Sequence, residues 1–216
     1  MTERISPRQF READGVADWR MLANEVGAFF RTGSFAIGLA FVDAIGTLAD
    51  SANHHPDVDL RYSSVTVRLT THEVNGLSQR DVDLARQISM AARTLGLSPD
   101  PSALQDVQIS IDALDVAAIR PFWRAVLGFG DVGGEGLLDS SGRGPSIAFR
   151  QTHGPRPQNG RVRVDVVVPD SQAGQRVAAA ISAGGHLVTD ERAPAWWVVA
   201  DAEGNEAFVT TWTGRE

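Results

Sequence analysis

The feature that most constrains this chain is the segment Leu97-Ser98-Pro99-Asp100-Pro101-Ser102. Proline breaks a helix and pushes the residue before it towards extended backbone, so this stretch interrupts whatever precedes it. What precedes it is a helical pattern ending at Gly96, a residue suited to the left-handed turn that closes a helix. A chain of 216 residues broken near its middle reads as two small domains, each able to bury its own core. The boundaries that follow are residues 1–96 for the first domain, 97–104 for a linker and 105–216 for the second.

Within the first domain, Ser34 stands before apolar residues at Ile37, Phe41, Ile45 and Leu48, the stripe of an amphipathic helix that ends near Asn53. From residue 60 to 72 the period changes to two, with Val65, Val67 and Leu69 on one face and Tyr62, Thr66, Arg68 and His72 on the other. This predicts a strand with one face in the core and His72 at its end. Asn75-Gly76 breaks the chain again, and Ser78 caps a second helix whose buried side carries Leu84, Ala85, Ile88, Ala92 and Leu95. Residues 19–30 fit a helix or extended strands equally well, because periodicity alone does not separate the two.

After the break, strand-like residues 107–111, a helical pattern over 116–127 and short strands near 136–138 and 146–149 are followed by a second series. That series is a strand at 162–168, an Ala-rich helix at 174–183 and strands at 196–200 and 206–212. A strand, helix and strands occurring twice in about a hundred residues indicate an internal duplication. The whole chain is therefore of the α+β class.

Composition narrows the partners. There is no cysteine, which removes disulfides, thiolate nucleophiles and cysteine-ligated metals. The net charge of -7 supplies no basic patch for nucleic acid, so a small-molecule ligand is expected. No apolar run approaches the roughly 20 residues of a membrane span, and MTERISPRQFREADG lacks the apolar core of a signal peptide. The expectation is a cytoplasmic protein with no membrane partner.

The chemistry concentrates in histidine: three of five fall within nineteen residues, in Asp50-Ser-Ala-Asn-His54-His55-Pro56 and Thr71-His72-Glu73. Imidazoles with a pKa near 6.5 donate and accept protons at neutral pH. Other readings stand beside this one. A His-His-Pro turn is commonly a solvent-facing connection, three histidines are a potential zinc set, and Asp81 completes a capping box with Ser78.

The full spacing is more specific. An acidic residue, three others, His-His-Pro, an aromatic eight positions after the first His, a His at plus eighteen and an Asp at plus twenty-seven resembles the signature of the pterin-4a-carbinolamine dehydratases. Here these are Asp50, His54, His55, Pro56, Tyr62, His72 and Asp81, with Gly76-Leu77-Ser78 and Arg80-Asp81-Val82-Asp83-Leu84-Ala85 also similar to the family. The resemblance covers residues 19–92 and implies helices packed on an antiparallel sheet, assembled as a homodimer or homotetramer. It implies dehydration of 4a-hydroxytetrahydropterin to quinonoid dihydropterin, with the pterin as substrate and no cofactor or metal. His54 and His72 would be acid and base, and His55 would orient the pterin. Asp50, Pro56, Tyr62 and Asp81 would line the substrate, Asp81 also orienting an imidazole, and Trp19 would correspond to an N-terminal tryptophan of the family. Members also serve as dimerisation partners of transcription factors, so a non-catalytic pterin- or protein-binding module is the alternative.

Residues 105–213 resemble the glyoxalase-like vicinal oxygen chelate domains through Pro121-Phe122-Trp123-Arg124-Ala125-Val126-Leu127-Gly128-Phe129, Arg161-Val162-Arg163-Val164-Asp165-Val166 and Asp201-Ala202-Glu203-Gly204-Asn205-Glu206-Ala207-Phe208. The resemblance implies paired βαβββ units around a cleft. Relatives often hold a metal, but this chain has Arg163 and Phe208 at likely ligand positions, leaving Gln108 without a histidine beside it. A metal-free cleft with Gln108, Arg163 and Asp165 facing a polar or anionic ligand is the expectation, with Trp196 and Trp197 nearby and His153 and His186 in surface loops. The other alternative puts the main activity in this domain, as an isomerase, dioxygenase or drug-binding module.

Overall fold

In the computed structural model, residues 2–117, 120, 129–132, 136–139, 142, 144–152, 162–182, 185–200 and 206–213 are described, with the backbone alone at 162 and 163. The chain divides into two units, Met1–Leu104 and Gln105–Glu216.

In the first unit, Ser6 caps a short helix, α1 (Pro7–Glu12), through a reciprocal box with Gln9. The ambiguous stretch resolves into β2 (Arg20–Leu22) and β3 (Glu25–Arg31), reversed at Ala23, whose φ is 50°. A two-residue β1 (Arg4–Ile5) lies earlier in the chain. The first long helix is α2 (Phe35–Ala52), capped by the Ser34 hydroxyl and closed by Asn53 in the left-handed region. It buries Gly38, Phe41, Ile45 and Ala49, while Phe35, Ile37 and Leu39 stay exposed. Charged only at Asp43 and Asp50, α2 is long and apolar enough to cross a membrane, although its buried face packs on the sheet.

The single strand expected over residues 60–72 is two strands, β4 (Asp57–Arg61) and β5 (Ser64–Leu69), paired antiparallel with Tyr62 and Ser63 at the tip. A two-residue turn preserves alternation, so a period of two does not reveal the reversal. His72 does not end a strand either. It opens a 3-10 turn, His72–Val74, closed by Asn75 at φ 46°. The short β6 (Leu77–Ser78) pairs with β1, and α3 (Gln79–Thr94) follows, capped by Ser78 and Asp81 as expected. Leu95, expected on its buried side, lies just past the helix end and is exposed.

The sheet runs β2-β3-β5-β4, and one face carries Val26, Ala28, Phe30, Val65, Val67 and Leu69, all within 1% of full burial. Phe30 meets Phe41 of α2 edge-to-face at 5.1 Å between centroids. Each such side chain contributes about 1.5–3 kcal/mol on burial. The expected linker at 97–104 belongs instead to this unit. Leu97 and Leu104 are buried, and β7 (Ser98–Pro99) pairs with Arg31 and Phe30 at a sheet edge, where proline's missing N–H is tolerated.

The second unit is an eight-stranded sheet of order β13-β14-β15-β12-β8-β11-β10-β9. Its strands are β8 (Asp106–Ala113), β9 (Gly130–Val132), β10 (Gly136–Leu138), β11 (Ser146–Gln151), β12 (Val162–Val167), β13 (His186–Thr189), β14 (Trp196–Ala200) and β15 (Glu206–Thr210). In each half the first strand lies parallel to the last, β8 with β11 and β12 with β15, while β8 and β12 join antiparallel at the centre. This is the duplication that the repeated element order predicts. The second half's helix, α4 (Asp170–Ser182), packs Ala173 and Val177 against Val199 and Val209. The first half's predicted helix, the motif at 121–129, His153 and residues 201–205 lie largely or wholly outside the described residues. His186, expected in a loop, starts β13 and is exposed.

Candidate active site

The β4–β5 hairpin assembles the histidines. Because Asp57 pairs with Arg68, the residues just before β4 and just after β5 emerge at the same end. His54 and His55 precede β4, and His72 follows β5. Tyr62 is at the opposite, closed end, roughly 16 Å away along the strand, and it is 77% exposed. The structure therefore does not bring Tyr62 to the histidines of its own chain.

The end of α2 decides where each imidazole goes. Asn53 turns the chain into left-handed backbone, and the His54 N–H bonds back to the Ala49 carbonyl at 3.1 Å, the longer bond of a Schellman closure. The Arg80 guanidinium also donates to the Asn53 carbonyl. His54 is thereby turned inward and is 7% exposed. Pro56 holds His55 extended and outward, where its Nε2 lies 3.0 Å from the exposed Asp50 carboxylate. His72 is exposed on its 3-10 turn.

Asp81 is fully buried, where the sequence expectation is of a residue lining the substrate. Its Oδ1 is 2.8 Å from His54 Nε2. Its Oδ2 accepts from the Ser78 N–H at 2.7 Å and from the Thr71 hydroxyl at 2.6 Å, and Thr71 and Ser78 hydroxyls lie 2.8 Å apart. The capping box and the imidazole orienter are thus one carboxylate with two functions. Sequence reasoning does not reach Thr71 and Ser78 as site residues; the only signals for them are that Thr71 adjoins His72 and that Ser78 is a cap. Trp19 is not at the site but in the core, 4% exposed, donating from Nε1 to the Ala85 carbonyl and the Ser89 hydroxyl.

In the second unit, strand alternation puts Val166, Ala207, Val209 and Trp197 on the helix side. The opposite face of the central strands carries Gln108, Ser110, Asp112, Asp165, Phe208 and Thr210, with Gln108, Asp165 and Phe208 in register across β8, β12 and β15. Asp165 is buried and accepts from the Ser110 hydroxyl at 2.8 Å, while Gln108 is half-buried. Arg163 pairs by backbone with Ser110, and its side chain lies outside the described residues. Arg150 donates two bonds to Asp112, at 2.7 and 2.8 Å, and this pairing raises its already high pKa. Trp196 packs on Phe208 at 5.6 Å between centroids. Both tryptophans are half-buried, one on each side of the sheet. These residues do not fit a divalent metal: Asp165 has Phe208 and Gln108 as strand neighbours, and no three His, Asp or Glu side chains converge among the described residues.

The fold and site define an α+β protein of two domains, the first carrying a buried histidine–carboxylate pair. Comparison with known proteins makes this specific. The family described as Pterin 4 alpha carbinolamine dehydratase matches residues 3–91, and the family described as Glyoxalase-like domain matches residues 108–210. A Roseiflexus sp. protein named "Putative pterin-4-alpha-carbinolamine dehydratase" is 43% identical over 89 residues, 41% of this chain and 96% of that protein. A transcriptional coactivator/pterin dehydratase from Brucella melitensis, solved by crystallography, is 25% identical with a TM-score of 0.40, covering 42% of this chain and 99% of that one. A glyoxalase/bleomycin resistance protein/dioxygenase superfamily member from Vibrio splendidus is 17% identical with a TM-score of 0.33, covering 50% and 99%. The chain belongs to the pterin-4a-carbinolamine dehydratase family through its first unit and carries a glyoxalase-like domain as its second.

Proposed function

We propose that the first unit dehydrates 4a-hydroxytetrahydropterin to quinonoid dihydropterin. The observation that carries this reading is the buried His54–Asp81 pair at the hairpin end from which His72 also emerges. Loss of water from a carbinolamine breaks the C4a–O bond once an acid protonates the hydroxyl, while a base takes the proton from N5 and its electron pair forms the C=N bond. Two imidazoles fill these roles without a metal. His54, held rigidly by Asp81, and the exposed His72 are assigned to them, and His55, steadied by Asp50, orients the pterin from the solvent side. Stopped-flow decay of the 4a-carbinolamine tests the proposal. The double variant His54→Ala with His72→Ala should lose turnover while retaining the fold, and full activity in it would refute the assignment.

The second unit is proposed to bind a small polar molecule on the face carrying Gln108, Asp165, Trp196 and Phe208, without a metal. Its support is a set of buried polar side chains beside a half-buried aromatic pair, the usual lining of a ligand cleft. Self-association as a homodimer or homotetramer belongs to the same reading. Phe35, Ile37 and Leu39 remain exposed on a helix whose other face already holds the sheet, and light scattering of the full chain reads the subunit number.

A further inference from the structure

We infer that Thr71 is the positioning residue shared by both imidazoles, and that its bond to Asp81 holds His54 as the Nε2–H tautomer, leaving Nδ1 to exchange protons with substrate. The inference rests on the dehydratase reading above and assigns the working atom and the residue that selects it.

The argument begins with the carboxylate. Asp81 Oδ2 accepts from the main-chain N–H of Ser78 and from the Thr71 hydroxyl. As a carboxylate Asp81 has no proton to give, so Oδ1 accepts as Oδ2 does and the proton in the 2.8 Å contact belongs to His54 Nε2, while the bonds from Thr71 and Ser78 fix the direction in which Oδ1 faces the ring. Nδ1 has no hydrogen-bond partner among the described residues. The proton that His54 exchanges with substrate is therefore carried at Nδ1, while Nε2–H remains bonded to Asp81.

Thr71 reaches the second imidazole through its backbone. Its N–H donates to the Gly76 carbonyl at 2.7 Å, and its carbonyl accepts from Val74 at 3.2 Å and from Gly76 at 3.4 Å, closing the turn that begins at His72. The residue is 2% exposed, so both sets of bonds are shielded from water. One residue therefore fixes the turn carrying His72 and, through Asp81, the ring of His54. Such a role separates the hydroxyl from the packing: Thr71→Ser keeps the donor, whereas Thr71→Val keeps the shape and loses it.

The test combines carbinolamine kinetics with long-range proton–nitrogen NMR of the histidine rings, on the full chain. Wild type should show neutral His54 as the Nε2–H tautomer. Thr71→Val should lower kcat about tenfold with KM nearly unchanged and bring the Nδ1–H tautomer into view, while Thr71→Ser stays close to wild type. A wild-type Nδ1–H tautomer, a Thr71→Val enzyme with undiminished kcat, or equal losses in both variants would overturn the inference. Should Thr71→Val not fold, the wild-type spectrum and Thr71→Ser still decide it. A wild type without dehydratase activity would instead refute the proposed function, and the spectrum would still establish or exclude the tautomer.

Discussion

Replacing Asp81 by Asn changes one atom and reverses the hydrogen bonding at one of its ends. The carboxylate accepts three short bonds on two oxygens, from His54, the Thr71 hydroxyl and the Ser78 N–H at 2.6–2.8 Å, and a longer one of 3.4 Å from the Ser78 hydroxyl. An amide has a single acceptor oxygen. Turned towards Ser78 and Thr71, it keeps the helix cap and presents its NH2 group to His54 Nε2–H, donor against donor. The lost interaction is one charge-assisted bond in a fully buried place, so the first unit should weaken by about 2 kcal/mol. Against a typical total of 5–15 kcal/mol this leaves a folded protein, with a urea midpoint lowered by about 1 M. Hydrogen exchange read on peptides of α3 isolates this unit from the second. Relief of the clash requires the imidazole to adopt the other tautomer, and turnover should fall by up to about 10⁴, the loss seen when a catalytic histidine loses its orienting carboxylate. Asp81→Asn with an unchanged midpoint and unchanged turnover would refute both the geometry and the role drawn from it.

Three further outcomes follow from the packing and charge. Phe41→Ala empties a fully buried site against Phe30 and should cost about 3–5 kcal/mol, measured by the same denaturation. The Ser102 hydroxyl, and after it the Arg31 guanidinium, hold the Asp100 carboxyl below the usual carboxylate range, so its contribution is present at neutral pH and is lost as pH falls through the lowered value. The stability difference between wild type and Asp100→Asn should therefore be constant above about pH 5 and close below about pH 4. In the second unit, Arg150→Met withdraws two charged bonds from the Asp112 carboxylate, whose side chain is 3% exposed, and should cost about 2–3 kcal/mol. Exchange rates of β8 and β11 amides unaffected by that change would contradict a supporting role for the pair.

The helices were legible because their signals are local. Ser34 and Ser78 cap with their own side chains, Asn53 closes α2 by its backbone preference, and the apolar stripe of α3 is written at a spacing of three and four. The hairpin over 57–69 was not, because alternation continues through a two-residue turn. Nor was the attachment of residues 97–104, since a strand of two residues is defined by its partner in β3 and has no pattern of its own. The candidate site divides the same way. The resemblance carried by the spacing from Asp50 to Asp81 named the histidines and set Tyr62 and Asp81 with them around substrate, whereas the hairpin register puts Tyr62 at the far end and Asp81 is buried.

What the sequence by itself determined is the inventory: two domains, a duplicated second half, no thiol chemistry, and three imidazoles within nineteen residues. These follow from covalent order and from local propensities that act over a few residues. Only the tertiary structure decided that Thr71, Ser78, Asp81 and His54, spread over 28 positions from His54 to Asp81, share one buried hydrogen-bonded network. A buried carboxylate must find donors wherever the fold brings them, and that requirement acts through space.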